Sequence, residues 1–269
     1  GDSVTVLDNF DDAYDPAWKL QNLEGLDIQL INGDVRDRSA VEESLRGVDA
    51  VVHLAALAGV RESLENPSEY ASVNVGGTVN LLEAVRSRPG LPVVFAGSSS
   101  VYGNRQSGPF VESDALGFPA SPYAGSKRAA ELMCNAAHLS WGQAVTILRF
   151  FTVYGPRQRP TMAISKFIRM AEAGEVIPVF GNGDSRRDYT YVDDAVGAVV
   201  NHRFTAFTFG DDRATVGLQV VDTNNATAST TVQIQVDQGN RAPAPVAGGF
   251  RNADGEVVGS YAIGVGEDV

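Results

Sequence analysis

Nearly continuous apolar runs, separated by segments of helix length over about the first 200 residues, constrain the fold of this chain more than any other feature. Ala50–Ala55 (AVVHLA), Pro92–Ala96 (PVVFA) and Ala144–Phe150 (AVTILRF) have the composition of strands buried on both faces of a parallel sheet. Two shorter β-prone runs, Val4–Leu7 and Ile28–Ile31, precede them. Strands that alternate with helices at this spacing predict a doubly wound α/β domain.

Helix boundary signals fall between these runs. The clearest one is at Asn66, a suitable N-cap, because Pro67 suits the first helical position and Glu69 the third. Gly90 follows the expected end of that helix. The three best-marked helices are predicted at about residues 67–88, 121–141 and 161–174.

The pattern changes after about Asn201, where apolar residues recur with period two. Two such stretches flank the turn-forming segment Asp222–Asn225, which predicts a hairpin from about Ala214 to Val236. Pro243 and Pro245 then mark a linker, and a second, weaker set of strands follows at Gly255–Val265. We therefore divide the chain into an α/β domain, residues 1–201, and an incomplete β-rich tail, residues 202–269.

Tyr123 and Lys127 are the strongest candidates for catalytic residues. Side chains four residues apart lie on one face of a helix, and a nearby ammonium stabilises the anion of a phenol. Such a pair can act as a general base near neutral pH. Ser98 ends a predicted strand, at the edge of a parallel sheet where ligands bind. By themselves, an exposed polar pair and a serine-rich turn would also account for these residues.

Taken with their context, these residues resemble the extended short-chain dehydrogenases/reductases, in the sugar-nucleotide epimerase/dehydratase branch. The similarity covers about residues 1–200 and is greatest to NAD-dependent UDP-glucuronate or UDP-glucose 4-epimerases. Six further segments match that branch in the right order. They are Val6–Phe10 (VLDNF), Gly33–Asp37 (GDVRD), His53–Arg61 (HLAALAGVR), Val73–Leu82 (VNVGGTVNLL), Leu148–Arg157 (LRFFTVYGPR) and Arg187–Asp194 (RDYTYVDD).

For the cofactor, the resemblance implies NAD. The carboxylate of Asp8, next to Asn9, would accept the ribose hydroxyls and would repel the 2′-phosphate of NADP. Without the family context, Asp8 and Asp34 would suit plain turns that end strands, and Ala55-Ala56 would suit ordinary core. The other implied contacts are Asp34 and Val35 at the adenine, Leu54, Ala55 and Ala56 along the pyrophosphate, Asn74, Tyr123 and Lys127 at the nicotinamide ribose, and Phe150 at the nicotinamide.

For the reaction, the resemblance implies that Tyr123 takes the proton of the sugar 4-hydroxyl while hydride leaves C4 and later returns to the other face. Ser98 and Lys127 assist, and Arg187 would bind the substrate diphosphate, unless it belongs to a solvated charge cluster. Dehydratases place acidic residues after the catalytic serine or threonine, where this chain has Ser99-Ser100, so the sequence favours an epimerase. Thr152 would contact the sugar, which stays open between the glucose and glucuronate types.

Two departures from the family pattern are visible. The first is that the sequence contains no Gly-x-x-Gly-x-x-Gly, the loop whose helix N-terminus holds a pyrophosphate. We therefore expect an N-terminally truncated Rossmann-like sheet that lacks its first strand. In the Rossmann order that strand lies between the two halves of the sheet, so two strand edges would be unpaired.

The second departure is the tail. Phe207–Val236 resembles the end of a PKD-type repeat, an immunoglobulin-like β-sandwich, and Asn240–Pro245 resembles the boundary to a next copy. Such modules are usually extracellular, whereas sugar-nucleotide epimerases work in the cytoplasm. This conflict suggests a chimera of two genes. It also leaves an alternative function, a non-enzymatic fragment whose tail is an adhesion or binding module.

Charge and composition exclude several other classes. The formal net charge of −12 argues against a nucleic-acid binder. The single cysteine, Cys134, and three separated histidines match no metal-ligand pattern, so we expect no metal. No apolar run is long enough to span a membrane, so we expect no membrane partner. Members of the resembling family are often homodimers through two helices, which correspond here to about residues 67–88 and 121–141.

Overall fold

The protein is described by a computed structural model that covers residues 2–104, 110–177, 188–204, 213–221, 227–235, 246–251 and 257–263. Up to residue 204, parallel strands alternate with helices, as predicted. The strands there are β1 (Val4–Asp8), β2 (Ile28–Asn32), β3 (Val51–His53), β4 (Val93–Ser98), β5 (Val145–Phe150), β6 (Thr152–Tyr154) and β7 (Tyr189–Tyr191). The helices are α1 (Pro16–Leu23), α2 (Arg38–Ser44), α3 (Val60–Glu65), α4 (Pro67–Tyr70), α5 (Gly77–Val85), α6 (Pro122–Trp141), α7 (Ala163–Glu172) and α8 (Val192–Phe204).

The parallel strands form separate sheets. β1 pairs with β2, β4 lies between β3 and β5, and β6 pairs with β7. Within the described ranges, no strand joins β1 to β3. The side chains of β4 are almost all buried, whereas those of β1 and β2 are exposed or half-buried. The three-stranded sheet is therefore the better-packed half.

Two clusters of buried side chains form the core. Val93 of β4 belongs to the first, with Val41 of α2 and Val85 of α5. Phe95 of β4 belongs to the second, with Ala130 and Cys134 of α6. Val93 and Phe95 are two residues apart and so point to the same face of β4, where they pack against α2 and α5 and against α6, and Val94 between them is buried on the opposite face.

The predicted helix at residues 121–141 is confirmed. Ser121 caps α6 by accepting a hydrogen bond from the Ala124 N–H at 3.1 Å, and Pro122 occupies its first position. It ends at Gly142, whose φ of +72° is favourable only for residues such as glycine. The helix expected at 161–174 is also present, as α7, which ends at Glu172.

The prediction of one continuous helix at about 67–88 is wrong, because the helix is interrupted in its middle. A π-helical turn, Ala71–Gly76, separates α4 from α5, which ends at Val85. Asn66 precedes α4, but its side chain makes no capping hydrogen bond. The π-helical turn contains Asn74, which is buried and bonded to other segments, and these tertiary contacts replace regular helical geometry.

The tail contains antiparallel strands, as predicted. β8 (Arg213–Val221) pairs with β9 (Thr227–Gln235), and β10 (Val246–Arg251) pairs with β11 (Val257–Ile263). The first pair confirms the hairpin; in the second, β10 lies before the stretch that was predicted as strand. The segment 207–212, the predicted turn Asp222–Asn225 and the prolines Pro243 and Pro245 lie outside the described residues. No helix among the described residues has the length and apolar character needed to cross a bilayer.

Candidate active site

Lys127 is held inside the protein against β4. Its side chain is 4% exposed, its Nζ donates a hydrogen bond to the Ala96 carbonyl oxygen at 2.9 Å, and the ammonium lies 5.1 Å from the centre of the Phe95 ring. Burial lowers the pKa of Lys127 to about 8, and the nearby Glu131 carboxylate opposes that shift. The ammonium is therefore poised to lose its proton just above neutral pH.

Ser98 ends β4, two residues after the carbonyl that Lys127 binds. Its Oγ accepts a hydrogen bond from the Ser100 N–H at 3.2 Å and lies 2.8 Å from the Ser100 hydroxyl. Phe150, the last residue of β5, is directly opposite Ser98 in the sheet. The structure therefore brings Ser98, Phe150 and Lys127 to one end of the three-stranded sheet.

Tyr123, one turn before Lys127 on α6, meets a second tyrosine. The rings of Tyr123 and Tyr70 make an edge-to-face contact with centres 6.2 Å apart. Tyr70 is 4% exposed, and burial followed by the charge of Glu62 raises the pKa of Tyr70. Sequence reasoning missed Tyr70, although it lies four residues before Asn74 in a segment predicted to be helical.

The side-chain amide of Asn74 forms hydrogen bonds with the backbone of the loop after β3. Its Oδ1 accepts a hydrogen bond from the Leu57 N–H at 2.7 Å, and its Nδ2 donates to the Leu57 carbonyl at 3.0 Å and to Ser126 Oγ at 2.9 Å. The amide thereby fixes the loop after β3 to α6. Leu54 and Ala55 of this loop are exposed and Ala56 is half-buried, so that the loop offers small, accessible groups at the sheet edge.

Asp8 is the last residue of β1, and Asn9 follows it at the corresponding end of the other sheet. Asp8 is exposed, and its Oδ1 accepts a hydrogen bond from the Phe10 N–H at 2.7 Å. Asn9 donates to Asp34 Oδ2 at 3.1 Å, while Arg36 binds both oxygens of the same carboxylate. The hydrogen bond from Arg36 lowers the pKa of Asp34 to about 2. Asp8, Asn9 and Asp34 therefore lie near one another at this end of the β1–β2 pair.

The remaining predicted site residues have different surroundings. The Val35 side chain belongs to the core and packs under Gly77, so only its backbone is available to a ligand. Thr152 is half-buried at the start of β6, two residues after Phe150. Arg187 lies outside the described residues.

An arginine-lined cavity of about 270 Å³ lies between α1, α7 and the loop after β6. Arg157, Arg159 and Arg169 line it together with Trp18 and Tyr14. Arg159 also donates a hydrogen bond to the Ala58 carbonyl at 2.9 Å, which ties the cavity to the loop after β3. The segment 157–159 follows the matched motif at Leu148–Arg157, and its two arginines were the available signal for this cavity.

The sequence profile of the NAD-dependent epimerase/dehydratase family matches residues 1–202. The chain belongs to this family. UDP-glucuronate 4-epimerase 3 of Arabidopsis thaliana is 40% identical over 238 residues, which are 84% of this chain and 55% of the plant protein. The chain thus spans about half the length of the curated relatives it matches.

Solved structures of other family members have a similar fold. The UDP-glucuronic acid 4-epimerase from Bacillus cereus, in complex with UDP-glucuronic acid and NAD, matches with a TM-score of 0.69 at 35% identity over 74% of this chain and 64% of its own. The dTDP-glucose 4,6-dehydratase DesIV from Streptomyces venezuelae, with NAD and TYD bound, matches with a TM-score of 0.68 at 35% identity, over 74% and 61%. The backbone is thus similar to both an epimerase and a dehydratase of the epimerase/dehydratase family.

Proposed function

We propose that this chain has the catalytic residues of an NAD-dependent UDP-sugar 4-epimerase, with UDP-glucuronic acid as substrate. The observation that carries the proposal is the hydrogen bond from Lys127 to the Ala96 carbonyl, which holds the Tyr123–Lys127 face of α6 against the strand that ends at Ser98. Identity of about 40% to UDP-glucuronate 4-epimerases supports the choice of substrate.

The described residues suit NAD at several points. Asp8 offers an exposed carboxylate to ribose hydroxyls, and the exposed Leu54-Ala55 segment allows close approach at the edge of the second sheet. When bound, NAD would supply the acceptor and donor of hydride. Phe150, opposite Ser98, would pack against the nicotinamide.

The protein's own part in the reaction is proton transfer and orientation. Tyr123, as a phenolate, would take the proton of the sugar 4-hydroxyl and return it after the sugar has turned. The Lys127 ammonium would stabilise the phenolate, and Ser98 would hold the sugar hydroxyl by a hydrogen bond. Ser99 and Ser100 follow Ser98 without a carboxylate, which favours epimerisation over dehydration.

Recognition of the substrate would depend on cationic groups. Arg157, Arg159 and Arg169 supply planar guanidinium groups that suit phosphate or carboxylate oxygens. Arg187 remains a proposed ligand of the diphosphate, and Thr152 a proposed ligand of the sugar. Both stand at positions that match the family motifs.

The finer predictions about architecture and location stay proposals. The separate β1–β2 and β3–β5 sheets support the interpretation that the strand which would join them in a complete Rossmann-like sheet is missing. The two antiparallel pairs of the tail support a PKD-like β unit. A cytoplasmic epimerase part, a chimeric origin and a homodimer also remain proposals. The alternative function, an adhesion module, has no support from the comparisons, because the matching relatives are epimerases.

Two measurements test the proposal. Calorimetric titration with NAD is expected to show binding at micromolar strength, and nuclear magnetic resonance is expected to detect conversion of UDP-glucuronic acid into its 4-epimer. Tyr123→Phe should lower kcat by at least about 100-fold, because it removes the proton-transferring group. Tyr189→Phe, the same change at a half-exposed ring of β7, should leave kcat unchanged. Absence of NAD binding, or equal rates in the two variants, would overturn the proposal.

A further inference from the structure

Glu131 is a fully buried carboxylate one turn after Lys127 on α6. Its side chain is 1% exposed, and Glu131 has no direct role in the proposed reaction. Its Oε1 lies close to the backbone of Gly97, because a Cβ built on Gly97 would come within 3.0 Å of this oxygen. Lys127 and Glu131 therefore pack against consecutive residues of β4, Ala96 and Gly97.

Arg149 of β5 neutralises this carboxylate. Its Nε lies 3.2 Å from both Glu131 oxygens and its Nη2 lies 3.1 Å from Oε2, a forked arrangement that fixes the orientation of both groups. The other end of the guanidinium, Nη1, donates to the Tyr102 hydroxyl and to the Glu112 carbonyl, each at 3.2 Å. The pair thus connects α6, β5 and the turn after Ser98.

We propose that Glu131, held by Arg149, is a positioning residue for the catalytic group, which keeps the buried Lys127 ammonium charged and fixes α6 to the ends of β4 and β5. The catalytic part of this proposal rests on the proposed function, because Lys127 has a catalytic role only in that function. The part about the charge on Lys127 does not depend on the proposed function and rests on the packing around Lys127.

Glu131 is the carboxylate one turn from Lys127 on α6, and its charge favours the ammonium. Burial disfavours the ammonium, and the Ala96 carbonyl supplies one polar contact without a charge. His53 is neutral near pH 7, because burial lowers its pKa to about 3, and burial raises the pKa of Cys134 to about 12. α6 itself carries Tyr123, Arg128, Glu131, Cys134 and His138 besides Lys127. The elements packed against α6 carry Arg61, Glu62, Glu65, Glu69, Tyr70, Glu83, Tyr102 and Arg149, and His53 of β3 also feels the Lys127 charge.

The test follows the titration of Lys127 itself by nuclear magnetic resonance of the full chain labelled with ¹³C in lysine. The sequence has three lysines, Lys19, Lys127 and Lys166, so Lys19→Arg and Lys166→Arg complete the assignment. In Glu131→Gln the carboxylate is lost and the Arg149 charge remains, so the Lys127 titration midpoint should fall by about one pH unit. In Arg149→Gln the carboxylate loses its forked partner and keeps Arg128, whose Nη1 lies 3.5 Å from Oε2, so the midpoint should rise by about half a unit.

The opposite signs separate this role from a structural one. If Glu131 only supported packing, both variants would loosen the site, admit water and raise the midpoint of Lys127 towards that of a free lysine. A rise in Glu131→Gln, or no change, would therefore overturn the proposal. The matched control is Glu42→Gln, which removes the carboxylate of an exposed pair with Arg38 at 2.6 Å and should leave Lys127 unaffected.

A second variant covers failure to fold. Should Glu131→Gln be unfolded, as judged by thermal melting, the double variant Glu131→Gln/Arg149→Gln removes both charges and leaves no unpaired ion. Its Lys127 midpoint should still fall, by less than in the single variant, because the loss of the Arg149 charge partly offsets the loss of the Glu131 charge. An unfolded double variant would assign the pair a purely structural role and overturn the proposal.

The pH dependence of turnover gives a second, independent test. In Glu131→Gln the pH above which kcat declines should move down with the Lys127 midpoint, while KM for the UDP-sugar is unchanged. If the Lys127 midpoint shifts but the chain never epimerises UDP-sugars, the proposed function is overturned and the electrostatic role of Glu131 stands. If the chain epimerises UDP-sugars but the Lys127 midpoint does not shift, the electrostatic role is overturned and the proposed function stands.

Discussion

His53 shows how burial turns an ionisable side chain into a neutral connector. It ends β3 and is 5% exposed. The Thr78 hydroxyl donates to the Asn74 carbonyl at 2.6 Å, so its oxygen accepts the hydrogen bond from His53 Nε2 at 2.9 Å. This arrangement fixes the neutral tautomer and links β3 to the segment that holds the loop after it.

Stability should depend on pH through this residue. Burial, and secondly the Lys127 charge, lower the pKa of His53 from its ordinary 6.5 to about 3. Between those values the unfolded chain binds a proton that the folded chain does not, so the free energy of unfolding falls as pH falls. From pH 7.5 to pH 5.5 we expect His53 to contribute a loss of about 1.4 kcal/mol.

Urea denaturation at the two pH values measures this loss. His53→Gln retains a donor for Thr78 and removes the titration, so it should lose about 1.4 kcal/mol less than the parent chain. His138→Gln, at the end of α6, should preserve the contribution from His53. An identical pH dependence in His53→Gln and the parent would show that another group titrates in this range.

At this scale the sequence predicts candidates better than their environment. Tyr123, Lys127 and Ser98 could be proposed as catalytic residues because their spacing and strand-end position are local properties. Glu131 stands at the next position of the same helical spacing, but its importance depends on Arg149, which approaches from a strand 18 residues away. Asn74 was a candidate through its sequence motif, whereas its bonds to Leu57 and Ser126 depend on tertiary packing that spacing does not encode.

At the scale of elements, the segment from α4 to α5 depends on two adjacent glycines with opposite surroundings. Both Gly76 and Gly77 have helical backbone angles, with φ of −58° and −61°. A Cβ on Gly77 would overlap the Val35 side chain of the core, whereas a Cβ on Gly76 would meet nothing within 4 Å. The close approach of α5 to Val35 therefore requires glycine at position 77 only.

Alanine at each position should change the stability in opposite directions. Gly76→Ala should raise the free energy of unfolding by roughly 0.5–1 kcal/mol, because alanine loses less conformational freedom in a helix. Gly77→Ala should lower it by about 1–3 kcal/mol, because Val35 is β-branched and cannot turn away without disturbing the core. Thermal and urea denaturation of the two variants measure this, and a change of the same sign in both would refute the packing argument.

The π-helical turn marks the limit of prediction for elements. Local signals at Asn66, Pro67 and Glu69 correctly place the start of the helical segment, and Ser121-Pro122 fixes α6 almost to the residue. The interruption at Ala71–Gly76 has no local signal, because its contacts are made with Leu57 and with Ser126 of α6.

At the scale of the whole molecule, the two halves of the α/β region differ in burial. β4 is flanked by strands on both edges and by buried side chains on both faces, whereas β1 has β2 as its partner and no residue of either strand is fully buried. The parallel direction of the strands could be predicted from the sequence, since long apolar runs that alternate with helices are local features. Arg157 and Arg159 are a local signal for the arginine-lined cavity, but its position could not be predicted, because it depends on how α1 and α7 approach each other.

This difference predicts a graded resistance to hydrogen exchange. Amides open locally with a free energy that rises with the burial around them, so β4, β5 and the middle of α6 should exchange slowest. Amides of β1, β2 and α1 should exchange at least about tenfold faster, which corresponds to about 1.4 kcal/mol of local stability. Deuterium uptake followed by mass spectrometry on the parent chain tests this. Gly77→Ala, which disturbs the core packed against β4, should speed exchange in β4. Equal protection of β1 and β4 would mean that the two sheets unfold as one cooperative unit despite the absence of strand pairing between them in the described residues.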